Sequence, residues 1–107
     1  MSDFVTVSKT SEIPSGESRS FEINNRSVAV FNVNGQFKAI DNLCPHMAAP
    51  LCEGDFDLES CDVICPWHGW RFNVNDGAWS DNPKIKTDVF EVRVVGEDVQ
   101  VRVEQAE

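Results

Sequence analysis

Ser27-Val28-Ala29-Val30-Phe31-Asn32-Val33-Asn34-Gly35-Gln36-Phe37-Lys38-Ala39-Ile40 reads as two strands joined by a two-residue turn. The turn carries the signal. Both central positions of a type I′ turn need positive φ, which Asn34 and Gly35 accept at low steric cost. The flanking runs are rich in valine, isoleucine and phenylalanine, which suit a pleated, buried surface. Outward from this hairpin the same texture recurs. Phe4-Val5-Thr6-Val7 and Ser20-Phe21-Glu22-Ile23 read as strands, with turns at Ile13-Pro14-Ser15-Gly16 and Asn24-Asn25. Val89 to Val95 and Val99 to Val103 alternate apolar with polar residues around Gly96-Glu97-Asp98, the pattern of a half-buried antiparallel pair. No stretch of 11 residues carries a helical stripe, so the expected class is all-β.

The segment from about Asp41 to Pro83 differs. It is rich in proline, glycine, aspartate and cysteine, with short strand candidates only at Val63-Ile64 and Trp70 to Val74, the latter closed by Asn75-Asp76-Gly77. The expected organisation is one domain over residues 1–107. A base sheet takes about 1–40 and 84–107, and an inserted loop-rich subdomain takes about 41–83. Loops on a rigid sheet are where functional sites concentrate.

Composition narrows the function classes. Eighteen acidic against nine basic residues give a net charge of -9, which argues against nucleic acid or an anionic membrane as partner. No apolar run approaches the ~20 residues of a membrane helix. Met1-Ser2-Asp3-Phe4 lacks the basic and then apolar order of a secretory signal. The expectation is a cytoplasmic, monomeric protein with reduced cysteines, a setting that favours metal binding over disulfides.

The chemistry lies in the loop-rich segment. Cys44-Pro45-His46 and Cys65-Pro66-Trp67-His68 are separated by 18 residues and hold both histidines of the chain and two of its four cysteines. Two thiolates and two imidazoles make a four-ligand metal site: Cys44, His46, Cys65 and His68. The set fits tetrahedral zinc, and it fits a [2Fe-2S] cluster with thiolates on one iron and imidazoles on the other. Zinc fingers usually pair like with like, whereas each loop here offers one ligand of each kind. Such mixing suits a dinuclear cluster, because each loop must reach both irons. Pro45 and Pro66 fix φ and stiffen the loops, Gly69 permits close backbone approach, and Trp67, Trp70 and Leu43 are candidates to keep water from the sulfur side.

Asp41-Asn42-Leu43-Cys44-Pro45-His46 with Pro50-Leu51, followed by Cys65-Pro66-Trp67-His68-Gly69-Trp70-Arg71-Phe72, resembles the Rieske [2Fe-2S] ferredoxins and the Rieske domains of aromatic-ring oxygenases. The resemblance covers nearly the whole chain. It implies a Rieske-type antiparallel β-sandwich with an inserted cluster-binding subdomain and one Rieske-type [2Fe-2S] cluster. It also implies that Cys44 and Cys65 hold the inner iron and His46 and His68 the outer one. High-potential respiratory relatives join the two loops by a disulfide, at positions matching Ala49 and Trp67. They also place serine and tyrosine hydroxyls at positions matching Trp70 and Phe72. None of these four residues can supply the bridge or an O–H donor, so the expected potential is low, about -150 mV rather than about +300 mV.

Other residues have less definite readings. Cys52 and Cys61 match no family ligand and read as small buried hydrophobes, with a disulfide or extra ligation as alternatives. Glu53, Asp55, Asp57, Glu59 and Asp62 form an acidic run with no base among them, which is either a solvated face or a steering surface. A Rieske oxygenase needs a mononuclear iron with two further histidines and a carboxylate, and no third histidine exists here. No Gly-x-Gly-x-x-Gly motif marks a flavin or nicotinamide site. The leading expectation is therefore a soluble electron carrier and not an enzyme, passing single electrons from a reductase to a terminal oxygenase. A small accessory subunit of an assimilatory nitrite reductase and a structural zinc module are the alternatives.

Overall fold

The computed structural model describes residues 4–23, 25–42, 54–65 and 69–103. Eleven strands follow in chain order: β1 (Val5–Lys9), β2 (Ser18–Ile23), β3 (Arg26–Val33), β4 (Gln36–Asp41), β5 (Phe56–Asp57), β6 (Asp62–Ile64), β7 (Arg71–Asn73), β8 (Ala78–Trp79), β9 (Asn82–Lys86), β10 (Val89–Val95) and β11 (Asp98–Arg102). Among the described residues the only helical element is a 3-10 turn at Thr10–Glu12. Every strand pair is antiparallel. The fold is all-β.

The opening hairpin forms as its residues dictate. Asn34 and Gly35 sit at φ 53° and 91°, and Val33 faces Gln36 across the turn. Buried Asn32 secures it: its side-chain amide donates to the Ile13 carbonyl at 2.7 Å, and its Oδ1 accepts from the Gly35 N–H at 2.7 Å.

Two sheets result, ordered β1-β11-β10-β4-β3-β2 and β5-β6-β7-β8-β9. In the first, β10 changes partner along its length. Val89 and Phe90 pair with β4, whereas Glu91 to Val95 pair with β11. This turns the corner that lets one end of the sheet fold over the other. Val28, Val30, Ala39, Val99, Val101 and Val103 fill the space between, with Ile13 and Ile23.

The other face of β3 and β4 is buried too. Ala29, Phe31 and Ile40 pack against Val63, Cys65, Phe72 and Val74 of the small sheet. β3 is thus a central wall between two cores, and this is why its middle, Val28-Ala29-Val30-Phe31, is apolar on both faces with no polar alternation. Val28 and Val30 serve one core, Ala29 and Phe31 the other. The small sheet extends to Lys86 because β9 pairs with β8, and Pro83 is tolerated in β9 because that strand is the sheet edge.

Candidate metal centre

Of the four expected ligands, the structure describes Cys65. Cys44, His46 and His68 lie outside the described residues, as do Leu43, Pro45, Met47, Ala49, Cys52, Glu53, Pro66 and Trp67. Among the described residues, no three His, Cys, Asp or Glu side chains converge on a common point.

Cys65 follows β6 directly and is 1% exposed, enclosed by the Phe31, Val63 and Phe72 core. Its backbone pins both ends of the second motif. The Cys65 N–H donates to the Trp70 carbonyl at 2.7 Å, and the Cys65 carbonyl accepts from the Gly69 N–H at 3.0 Å. The residues that flank the second motif, Cys65 before it and Gly69 and Trp70 after it, are thus tied to one another. Gly69 is required for its φ of +76°, a left-handed conformation that a side chain resists. A Cβ there would meet no described atom within 4 Å, so close approach is not what selects glycine among these residues.

The stem of the first motif is fixed as firmly. Arg26 donates to Asp41 at 2.8 Å and to Asp88 at 2.6 Å, and its guanidinium lies 4.8 Å from the centre of the Phe90 ring. The hydrogen bond to Asp88 is the chief cause that raises the Arg26 pKa, against an opposing effect of burial. Buried Asn42 then ties back to Ser27, N–H to carbonyl at 2.9 Å and side chain to Oγ at 3.0 Å. Asp55, beyond that loop, accepts from the Ile64 N–H at 2.8 Å. Because β4 supplies Ile40 to the core that encloses Cys65, both motif stems rise from one hydrophobic cluster.

Aromatic rings close that cluster. Trp70 stacks on Trp79 at 3.7 Å and 10°, Trp70 and Phe72 lie 6.3 Å apart, and Phe31 meets Phe56 at 5.1 Å. Phe72 is fully buried, and its ring offers no hydroxyl to a neighbour. The sequence reading missed Trp79. Its only local signal is an aromatic residue just after the Asn75-Asp76-Gly77 turn.

The acidic run does have a base. Arg71, from β7, contacts Asp57 at 3.2 Å, Asp62 at 3.4 Å and Ser60 Oγ at 3.3 Å. Burial raises the Asp57 pKa, but the Glu59 and Ser60 backbone N–H groups together with Arg71 outweigh it and hold the carboxyl below its ordinary value. The sequence view of five unpaired acids is corrected for Asp57 and Asp62, whose partner comes from another strand. Cys61 is a free, half-buried thiol at φ 61°, packed on the same core, with Sγ 3.8 Å from the Leu58 carbonyl.

A buried thiol in an apolar, aromatic-walled core, with both motif stems clamped, fits a thiolate-bound iron–sulfur cluster. The donor set of two thiols and two imidazoles fits it as well. Known proteins point the same way. The family model of the Rieske [2Fe-2S] domain matches residues 3–96. Apoptosis-inducing factor 3 of Mus musculus is 35% identical over 98 residues, 91% of this chain and 16% of that protein. The chain thus spans only a small part of that relative's length. The biphenyl dioxygenase ferredoxin subunit of Pseudomonas sp. strain KKS102 is 32% identical over 104 residues, 96% of this chain and 94% of that protein. Among solved structures, a chain from the complex of reduced oxygenase and oxidized ferredoxin in carbazole 1,9a-dioxygenase superposes with a TM-score of 0.85 at 32% identity, covering 97% and 96% of the two chains. A nitrite reductase small subunit from Mycobacterium tuberculosis reaches 0.88 at 20% identity over 99% of each chain, a likeness of fold alone.

Proposed function

The chain belongs to the Rieske [2Fe-2S] family, and on that premise we propose that it carries single electrons from a reductase to a terminal aromatic-ring oxygenase. Its cofactor is one Rieske-type [2Fe-2S] cluster. The observation that carries the reading is the histidine count. Both histidines sit in the paired motifs, so this chain has none left for the mononuclear iron of an oxygenase. The end-to-end match to a dioxygenase ferredoxin subunit supports the same role.

In this reading Cys44 and Cys65 hold the inner iron, and His46 and His68 hold the outer iron. When bound, the cluster supplies a one-electron acceptor and donor. The chain's own residues do the rest. The Phe31, Val63 and Phe72 core excludes water around Cys65, and the stems at Arg26–Asp41 and Cys65–Trp70 hold the ligand loops at low entropic cost. With no hydroxyl on Phe72 or Trp70 to stabilise added negative charge, the potential lies near the low end of the Rieske range, about -150 mV. No helix among the described residues is long and apolar enough to cross a membrane. A cytoplasmic monomer is part of the proposal.

Reconstitution tests it. The purified protein should show the reducible visible spectrum of an iron–sulfur protein, which zinc cannot give. It should also restore turnover to an aromatic-ring oxygenase supplied with a reductase and NADH. His46→Cys and His68→Cys should abolish that turnover. Support of a nitrite reductase large subunit, with no effect on any oxygenase, would replace this reading by the accessory-subunit one.

A further inference from the structure

Trp79 contains a buried polar atom that the fold does not partner. Its indole Nε1 has no hydrogen-bond acceptor, and Ser8 Oγ is the one other such buried side-chain atom among the described residues. An indole N–H can only donate, so no rotation or tautomer relieves it. Buried donors are rarely left this way, and each exception calls for an explanation such as an unfilled ligand contact.

The surroundings say where this donor works. Trp79 faces Phe72 across the β7–β8 pair, and its ring is stacked on Trp70. Both tryptophans pack on the core that encloses Cys65, and Trp70 is joined to Cys65 by the 2.7 Å backbone hydrogen bond. The β8–β9 register shifts between Ala78 and Trp79, an irregularity of the kind that often lies beside functional sites. The backbone on either side is tied down, by the Ala78 N–H to Asp76 Oδ1 at 2.9 Å and the Ser80 N–H to the Arg71 carbonyl at 2.9 Å. Trp79 cannot swing its N–H into water without unstacking from Trp70.

We propose that the Trp79 indole N–H donates a hydrogen bond to the sulfur side of the metal centre. This rests on the reading that Cys65 holds an iron–sulfur cluster. A bridging sulfide is an acceptor that the polypeptide alone lacks at this place, whereas the Cys65 sulfur of the same core does not accept from the Trp79 N–H. A donor to such a sulfide favours the more negative, reduced state. Trp79 thus partly offsets the loss of hydroxyl donors at Trp70 and Phe72, so the potential is low yet higher than it would be without this tryptophan.

Trp79→Phe keeps a smaller aromatic face for Trp70 and removes the donor. Retention of the visible and EPR spectra in the parent protein tests the iron–sulfur reading by itself, and their absence refutes that reading and not this one alone. Given a cluster, the ratio of reduced to oxidised protein against a fixed reference couple should fall about tenfold in Trp79→Phe, about 59 mV for a one-electron couple. Pulsed EPR of reduced protein labelled with ¹⁵N at the indole nitrogen should show a coupling that Trp79→Phe loses and Trp70→Phe keeps. A reduced fraction unchanged within twofold, or a coupling that persists in Trp79→Phe, overturns the proposal. Should Trp79→Phe fail to hold a cluster, the labelled parent decides. No indole coupling there overturns the proposal, and a coupling that survives in both Trp67→Phe and Trp70→Phe supports it.

Discussion

The two faces of β3 show two ways of building a β-structure. On the valine side, β2, β4, β10 and β11 pair over five or six residues, apart from the short β10–β4 contact, and the core is almost wholly aliphatic. There, register follows from alternation, since a one-residue slip would turn every valine to solvent. On the Cys65 side the strand pairs span one to three residues, too few for a ladder to hold register. Aromatic stacking, the Arg71 ion pairs and clamped loop stems hold it instead. The base sheet is stable by pattern, and the small sheet by specific contacts around one centre. That difference predicts where each side fails.

Removing the centre should separate the two sides most. Cys65→Ala should abolish the iron–sulfur absorbance. It should also lower hydrogen-exchange protection at β6 and β7 by about 100-fold or more, while β3 and β11 stay within about tenfold of the parent. An equal loss on both sides would erase the distinction.

Glycine substitutions compare the sides at single positions. Gly77 has φ +74°, and a Cβ there would clash with the Thr87 carbonyl oxygen, whose residue also donates its N–H to the Gly77 carbonyl at 2.9 Å. Gly96, in the β10–β11 turn, has φ +63° and open space around it. Gly96→Ala should cost only the left-handed strain of about 1–2 kcal/mol. Gly77→Ala should add an overpacking cost of about 1–3 kcal/mol. Denaturant melts of the two variants measure the gap, and equal losses would show that the Thr87 contact relaxes freely.

Acid should produce the smallest effect. Asp57 has a folded pKa below its ordinary 3.8, so its contribution is fully present above that value and is lost as pH falls through the lower folded value. Asp57→Asn should therefore be less stable than the parent at pH 5, and the two should converge once the pH falls below the lowered folded pKa of Asp57. A stability difference that stays constant across this range would mean that Asp57 acts through packing alone.

Much of the base sheet could be read from the chain. Asn34-Gly35 announced its turn, Val89 to Val95 matched β10 in full, and the valines of Val99 to Val103 alternate inward as expected. β5 and β8 escaped because two residues carry no period, and β9 because Pro83 reads as a breaker until the strand is known to be an edge. The proposed donor set was read from the sequence alone, and of its four residues Cys65 is among those the structure describes. The ligand spacing belonged to the same local reading.

What the sequence determined by itself was the class of fold and the positions of turns such as Asn34-Gly35, because these depend on residues and their near neighbours. Only the tertiary structure decided that β3 is buried on both faces and that Arg71 neutralises acids 9 and 14 positions away. The same holds for Cys65 and the Trp70–Trp79 stack sharing one core, and for the Trp79 N–H ending without an acceptor. These are relations between segments distant along the chain. No local pattern encodes them, because packing alone brings the partners together.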